Sequence, residues 1–341
     1  MAREAGVSKS LVSLVFNGGE NVSVERRRRV LEAAAALGYR PNLVAQSLSA
    51  GRRDVVGILV SNLSNPIFAE IVGAVKIRLS EAGQRTVIVT AQVEDGSGEA
   101  VLDRDNLDVL RDLRPAGLVT VGTIPDFGEL ADLTATIPTV VASAIDATDD
   151  TVATVRTDDA AGIRMVVDHL IDQGLERIVF IGGSGGTVSA SRETAFRAAM
   201  DARGLGSSGA VQRADLTEAG AMRAVKQILA SGEQPEAIVA VNDLVAVGVI
   251  TALEAAGVSV PDDCLVTGFD DSMLAGIPRI SLTTIDPMNR RIGREAAGAL
   301  LTAMELGTHG APGSRSWRQP AGGATVLIPP RLIVRDSTRA E

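Results

Sequence analysis

Gly182-Gly183-Ser184-Gly185-Gly186 directly follows the apolar run IVFI. A serine flanked by glycines on a strand-to-helix turn is the setting of a hydrolase nucleophile. Asp270 and His309 follow it in the order an α/β-hydrolase triad needs. The chain has only two histidines, and neither suits the role. His169 lies in a helical pattern before the serine, and His309 lies in a Gly/Pro-rich stretch. The glycine run reads more simply as a loop beside a ligand cleft. No lysine follows it, so it is not a P-loop for phosphates. Two histidines and the single cysteine, Cys264, form no zinc-site spacing. No catalytic residue, metal or cofactor is therefore expected.

The second candidate chemistry is at the start of the chain. Residues 2–5 read as the last turn of a helix ended by Gly6, and Ser8 caps a second helix. Val12, Val15 and Phe16 form the buried stripe of that helix. Lys9, Ser10, Ser13 and Leu14 lie off the stripe. Ser23 caps a third helix with Val30, Ala34 and Leu37 inward and Gly38 as its stop. A glycine-ended helix, a turn and a short helix with a free polar N-terminal face make a helix-turn-helix. Residues 1–53 hold nine Lys/Arg against four acids, while the remainder holds 24 against 38. The whole chain carries −9, so a basic head sits on an acidic body. Such a head suits a polyanion. Arg26 to Arg29, set against the dipole of the third helix, suggest an external anion. On charge alone, a solvated basic face fits equally well.

The elements that position the rest begin at residue 55. Strand candidates at 55–60, 86–91, 117–121 and 138–142 alternate with amphipathic helices. The unit then restarts with a helix at 159–173 and strands at 177–183, 238–241 and 265–270. Strands alternating with helices predict parallel sheets covered on both faces. About 280 residues of this pattern exceed one doubly wound domain and predict two lobes with a cleft between them. Ligands would bind at the carboxyl ends of the strands. No apolar run of about 18 residues and no secretory h-region appears, and a lone cysteine suits a reducing cytoplasm.

The order of these features resembles the LacI/GalR family of bacterial transcription regulators. The resemblance is carried by AREAGVSKSLVSLVFN and VSVERRRRVLEAAAALGYRPNLVAQSL in the head. In the body it is carried by NPIF (65–68), SASRETAFRAAM (189–200), VNDLVAVG (241–248), GFDD (268–271), LTTID (282–286) and IPPRLIVRDST (328–338). It implies a small all-α helix-turn-helix head on an α/β body of two doubly wound, periplasmic-binding-protein-like lobes. The expected head spans 1–50 with a hinge helix at 42–49, and the effector-binding and dimerisation body spans 54–341. Within the body, the first lobe is expected at about 54–155 and 288–315, and the second at about 156–286 and 318–340.

The resemblance also implies roles. The second helix would enter the major groove, with Lys9 and Ser10 near base edges and Ser8 and Ser13 also among the DNA-binding residues, while Leu14 would either pack on a thymine methyl or weaken specific binding. Asn17, Ser23 and Arg27 would contact phosphates. Asn42, Ala45, Gln46 and Leu48 would form the hinge, with Leu48 wedged into the minor groove. Asn65, Phe68, Ser143, Arg192, Asn242 and Asp270 would bind a small, sugar-like effector. The partners would be operator DNA, the effector and a second copy of the chain. The implied function is a cytoplasmic, homodimeric repressor of a palindromic operator, with no membrane association.

Four departures from the family pattern stand out. Leu14 occupies a position that is usually arginine. Ala195 replaces the glycine of the stretch that contains Arg192. Leu216 stands where some members stack an aromatic on the ligand. The family pattern also begins roughly eight residues earlier, with a valine where Met1 stands. A GTG valine codon at position 1 taken for the initiator, with the true start upstream, would explain that, and the head as given would then close its core only loosely. The alternatives are a solute-binding protein with the same body and, more remotely, a serine hydrolase using Ser184.

Overall fold

The computed structural model describes residues 1–16, 22–39, 55–61, 63, 65–94, 100–124, 126–145, 152–183, 186–232, 234–308 and 324–339. The hinge at 42–49, Asn17, Asn42, Ala45, Gln46, Leu48, Ser184 and His309 lie outside them.

The head begins with a turn closed by Ala5 N–H on Met1 O (2.8 Å). Val7 N–H reaches back to Ala2 O (2.9 Å) and Gly6 N–H to Arg3 O (3.3 Å). This is a Schellman stop, and Gly6 supplies its left-handed residue at φ +61°. Helix α1 (Lys9–Phe16) follows, with Ser8 Oγ accepting from Leu11 N–H at 3.1 Å. Helix α2 (Val24–Ala36) is capped by Ser23, which accepts from Arg26 N–H. Ala5, Val15, Val22, Val30 and Ala33 form the head's small core. Leu37 was expected on the inward face but is 53% exposed. It is the C-cap, one residue past the last helical turn, and the helical spacing no longer governs its direction.

The body holds two parallel sheets. The first contains β1 (Val55–Val60), β2 (Arg85–Thr90), β5 (Gly117–Val121), β6 (Thr139–Ala142), β7 (Ala153–Thr157) and β13 (Thr325–Ile328). Its spatial order is β13-β7-β6-β5-β1-β2. The second contains β8 (Ile178–Gly183), β9 (Gly209–Ala214), β10 (Ala237–Ala240) and β11 (Leu265–Thr267), in the order β11-β10-β8-β9. All six residues of β1 are buried. Continuous apolar strands of this kind require helices on both faces. They are covered by α3 (Ile67–Glu81), α4 (Arg104–Leu113) and the single-turn α5 (Ala131–Thr134) in the first unit. The second unit is covered by α6 (Asp159–Ile171), α7 (Thr187–Ala202), α8 (Glu218–Ala230) and α9 (Asp243–Ala255). Helix α10 (Asn289–Thr308) returns to the first unit, where Ile292, Ala296, Ala297 and Leu300 join the core of β1. The described body also holds two short strand pairs, β3 (Gln92–Glu94) with β4 (Ala100–Leu102), and β12 (Thr284–Asp286) with β14 (Arg331–Ile333).

The chain passes between the units at 157–159, 286–289 and 328–331. The third passage corrects a sequence expectation. Residues 318–340 were assigned to the second lobe, yet β13 pairs with β7, register Thr325↔Thr154 to Ile328↔Thr157. The chain changes units at Pro329-Pro330, which lack the N–H groups needed to continue a ladder. Asp158 N–H donates to Ile328 O at 3.0 Å, tying the first passage to the third.

Candidate effector site and nucleic-acid interface

The body's chemistry gathers at the carboxyl ends of the second sheet's strands. Arg192 comes from the second turn of α7 and is only 7% exposed. Its Nε donates to Asp159 Oδ1 at 2.8 Å and its Nη1 to Val241 O at 2.7 Å. Its guanidinium lies 3.5 Å from the centroid of the Phe269 ring. Such stacking on a buried aromatic adds a cation–π attraction and fixes the plane of the fork. The backbone explains how Phe269 can lie there. A Cβ on Gly162, in the first turn of α6, would sit 2.8 Å from Phe269 Cε2. Only glycine lets the helix approach the ring so closely.

Asp270 is 5% exposed, and its Oδ1 lies 3.8 Å from Arg192 Nη1. Its backbone sits at φ +126° and that of Asp271 at φ +44°. Both conformations are costly for side-chain-bearing residues and persist only where the surroundings impose them. Here the surroundings are well defined. Asp270 N–H donates to Ile285 O (2.9 Å). Ser272 N–H donates to Asp243 Oδ2 (2.7 Å), and Thr284 Oγ1 donates to Asp243 Oδ1 (2.6 Å). Arg335 Nη2 binds Asp271 Oδ1 (2.6 Å). The buried Asp243 thus clamps the turn that presents Asp270.

The electrostatics follow from burial. Loss of hydration pushes the Asp243 carboxyl up to about 6 despite its hydroxyl and amide donors. Burial pushes Asp270 well above the carboxylate range, and the charges of Asp243 and Asp159 add to that. The Arg192 guanidinium opposes both effects at Asp270. Much of Arg192's charge is already matched by Asp159, which also receives Arg156 Nη1 at 3.3 Å. Asp270 thus lies buried beside a cation that it shares with Asp159, and burial favours its protonated form.

Of the six expected effector residues, Arg192 and Asp270 meet directly. Asn242 adjoins Val241 at the end of β10, and its Oδ1 accepts from Val245 N–H (2.9 Å) as the N-cap of α9. That oxygen is committed to the helix. Ser143 follows β6 at φ +57°, with its N–H on Val155 O (2.9 Å). Asn65 and Phe68 lie at the start of α3, where Asn65 Oδ1 accepts from Ile67 N–H (3.2 Å). The Phe68 ring reaches the end of β5, since a Cβ on Gly122 would lie 2.6 Å from its Cζ. Leu216 is exposed near the end of β8, against Gly183. Sequence reasoning missed Asp159, Asp243, Phe269 and Thr284. The Asp158-Asp159 and Asn242-Asp243 pairs, each opening a helix after a strand, were the available signal. In both pairs the first residue caps the helix and the second turns inward.

In the head, Ser8, Lys9, Ser10, Ser13 and Leu14 are all exposed, while Val15 is buried behind them. The arginine run proves partly internal. Arg28 pairs with Glu25 (2.7 Å) and Glu32 (2.8 Å). Arg29 Nη2 donates to Ala5 O (2.6 Å), and Arg27 Nη1 to Val15 O (3.4 Å). Glu25 supplies the acid that the α2 dipole favours.

A head that offers a short polar helix and a two-sheet body with a buried polar site define a ligand-responsive DNA-binding regulator. The profile of bacterial regulatory proteins of the lacI family matches residues 1–42, and that of the periplasmic binding protein-like domain matches 167–338. The HTH-type transcriptional repressor PurR of Photobacterium profundum is 32% identical over 313 residues, covering 91% of this chain and 92% of that protein. The ribose operon repressor of Escherichia coli is 31% identical over 307 residues, covering 88% and 91%. The crystal structure of the lac repressor dimer bound to operator and the anti-inducer ONPF superposes with a TM-score of 0.82. It is 25% identical and covers 99% of this chain and 98% of that one. The chain belongs to the LacI family of bacterial transcription regulators. Membership sets aside the hydrolase reading of Ser184. No helix among the described residues is long and apolar enough to cross a membrane.

Proposed function

We propose that this protein is a cytoplasmic repressor that binds a palindromic operator as a homodimer and responds to a small polyhydroxylated effector in the body. The observation that carries the reading is the pairing of a solvent-facing α1 with a buried Arg192–Asp270 site on one chain. Two-fold symmetry of the dimer sets the palindrome. Lys9, Ser10, Ser13 and Leu14 face the bases, and Ser8, Asn17, Ser23 and Arg27 hold the phosphates. Asn42, Ala45, Gln46 and Leu48 form the hinge that relays the body's state. Asp270 accepts from effector hydroxyls, and Arg192 donates to its oxygens. Asn65, Phe68, Ser143 and Asn242 complete the pocket as the lobes, about 54–155 with 288–315 and 325–328, and about 156–286 with 331–340, close on the ligand.

The test is fluorescence anisotropy of labelled DNA from immediately upstream of the protein's own gene, titrated across a salt series. Sequence-selective binding that weakens steeply with salt supports the reading, because phosphate contacts release counterions. Binding that is equal on scrambled duplexes at every salt concentration rejects it.

A further inference from the structure

The outward face of α1 is polar except at one position. Leu14 is 40% exposed and shares that face with Lys9, Ser10 and Ser13. Its direction is fixed from behind. Val15, the next residue, is 4% exposed in the head core, and Val15 O accepts from Arg27 Nη1 at 3.4 Å. The Ser8 cap anchors the first turn, so the helix cannot rotate Leu14 inward without expelling Val15.

A leucine side chain neither donates nor accepts a hydrogen bond. The edges of the bases in the major groove are arrays of donors and acceptors, with a single apolar group, the C5-methyl of thymine. Leucine set against any other edge would strip water from a polar atom and offer nothing in return. We propose that Leu14 is a specificity-determining residue that reads the 5-methyl group of a thymine in each operator half-site. This rests on the DNA-binding reading of the head given above. Ser10 and Lys9, one turn before it, then supply the hydrogen-bonding part of the same readout.

Burial of one methyl group in each half-site is worth about a fourfold change in affinity, hence roughly 15-fold for both halves. The experiment selects duplexes from a random library with the full-length chain. It then compares the selected duplex with the same duplex synthesised with deoxyuridine for each thymidine in turn. Deoxyuridine keeps every hydrogen bond and lacks only the methyl. The proposal expects one symmetric pair of positions at which uracil weakens binding by about that factor. It also expects 5-methylcytosine paired with guanine there to bind better than cytosine. Leu14→Ala should bind thymine and uracil duplexes equally. Because Leu14 lies on the surface, this variant should keep the wild-type melting curve. Selective binding that ignores uracil at every position overturns the proposal and leaves the DNA-binding reading standing. A uracil effect that persists in Leu14→Ala overturns it in the same way. Failure to select any sequence overturns both.

Discussion

Arg192 is bonded to Asp159 at 2.8 Å and stands 3.8 Å from Asp270. One guanidinium therefore has a committed carboxylate and an uncommitted one. The first interaction ties α6 to α7, and the second spans a gap near the limit of an ion pair.

Asp270→Asn should leave the body folded and weaken effector binding. Asn keeps a carbonyl acceptor but fixes an amide donor where the carboxyl can accept from the ligand's hydroxyls. The expected loss is between about tenfold and a hundredfold. Calorimetry with pentoses, hexoses and disaccharides on wild type and variant checks it. Equal affinities would place the ligand elsewhere.

Arg192→Ala should act mainly on stability. It leaves Asp159 buried with only Arg156 beside it and the Val241 carbonyl without a donor. A broken buried pair costs about 3 kcal/mol or more. Urea denaturation measures it, and Asp159→Ala introduced together with Arg192→Ala should recover part of the loss. Additive losses would mean that the two side chains are not coupled.

Asp243 gives the body a pH dependence with a definite sign. Its carboxyl titrates at about 6 in the folded protein and near 3.8 ordinarily. The folded state therefore binds the proton more tightly, and stability falls as pH rises from about 4 to 6. The fall attributable to this group is on the order of 3 kcal/mol. Asp243→Asn, which cannot ionise, should flatten that part of the profile when unfolding free energies are compared across pH. An unchanged slope in the variant would assign the titration to another group.

Gly162→Ala should disturb the site from behind. Its methyl would enter the space of the Phe269 ring and push the platform under Arg192. Overpacking of this kind costs about 1–3 kcal/mol. Thermal melting shows the cost, and effector affinity should fall with it. A melting temperature equal to wild type would show that the ring can yield.

The strands at 55–60, 117–121 and 178–183 were legible because buried parallel strands are continuous apolar runs between turn signals. Strand β9, GAVQRA, was not, since it lies at a sheet edge and mixes polar with apolar residues. The membership of β13 was hidden for another reason. Nothing local in TVLI states which sheet it will join, and the register with β7 spans a long stretch of chain. Arg192 and Asp270 were named from family position and strand-end placement, and the fold brings their side chains to 3.8 Å of each other. Asp159 and Asp243 were hidden because each follows a residue that caps a helix, and an acid in a first turn is ordinarily a solvated one. Only the fold reveals that these two face inward.

In the proposed function, the site around Asp270 governs the head's grip on DNA. Measuring both affinities in both states tests it most directly. The affinity for the selected duplex is measured with and without the saturating effector found by calorimetry. The affinity for that effector is measured with and without the duplex. Linkage requires the two factors to be equal. The expected result is a common factor well away from one, abolished in Asp270→Asn while that variant still binds the duplex. A duplex affinity indifferent to saturating effector would contradict it.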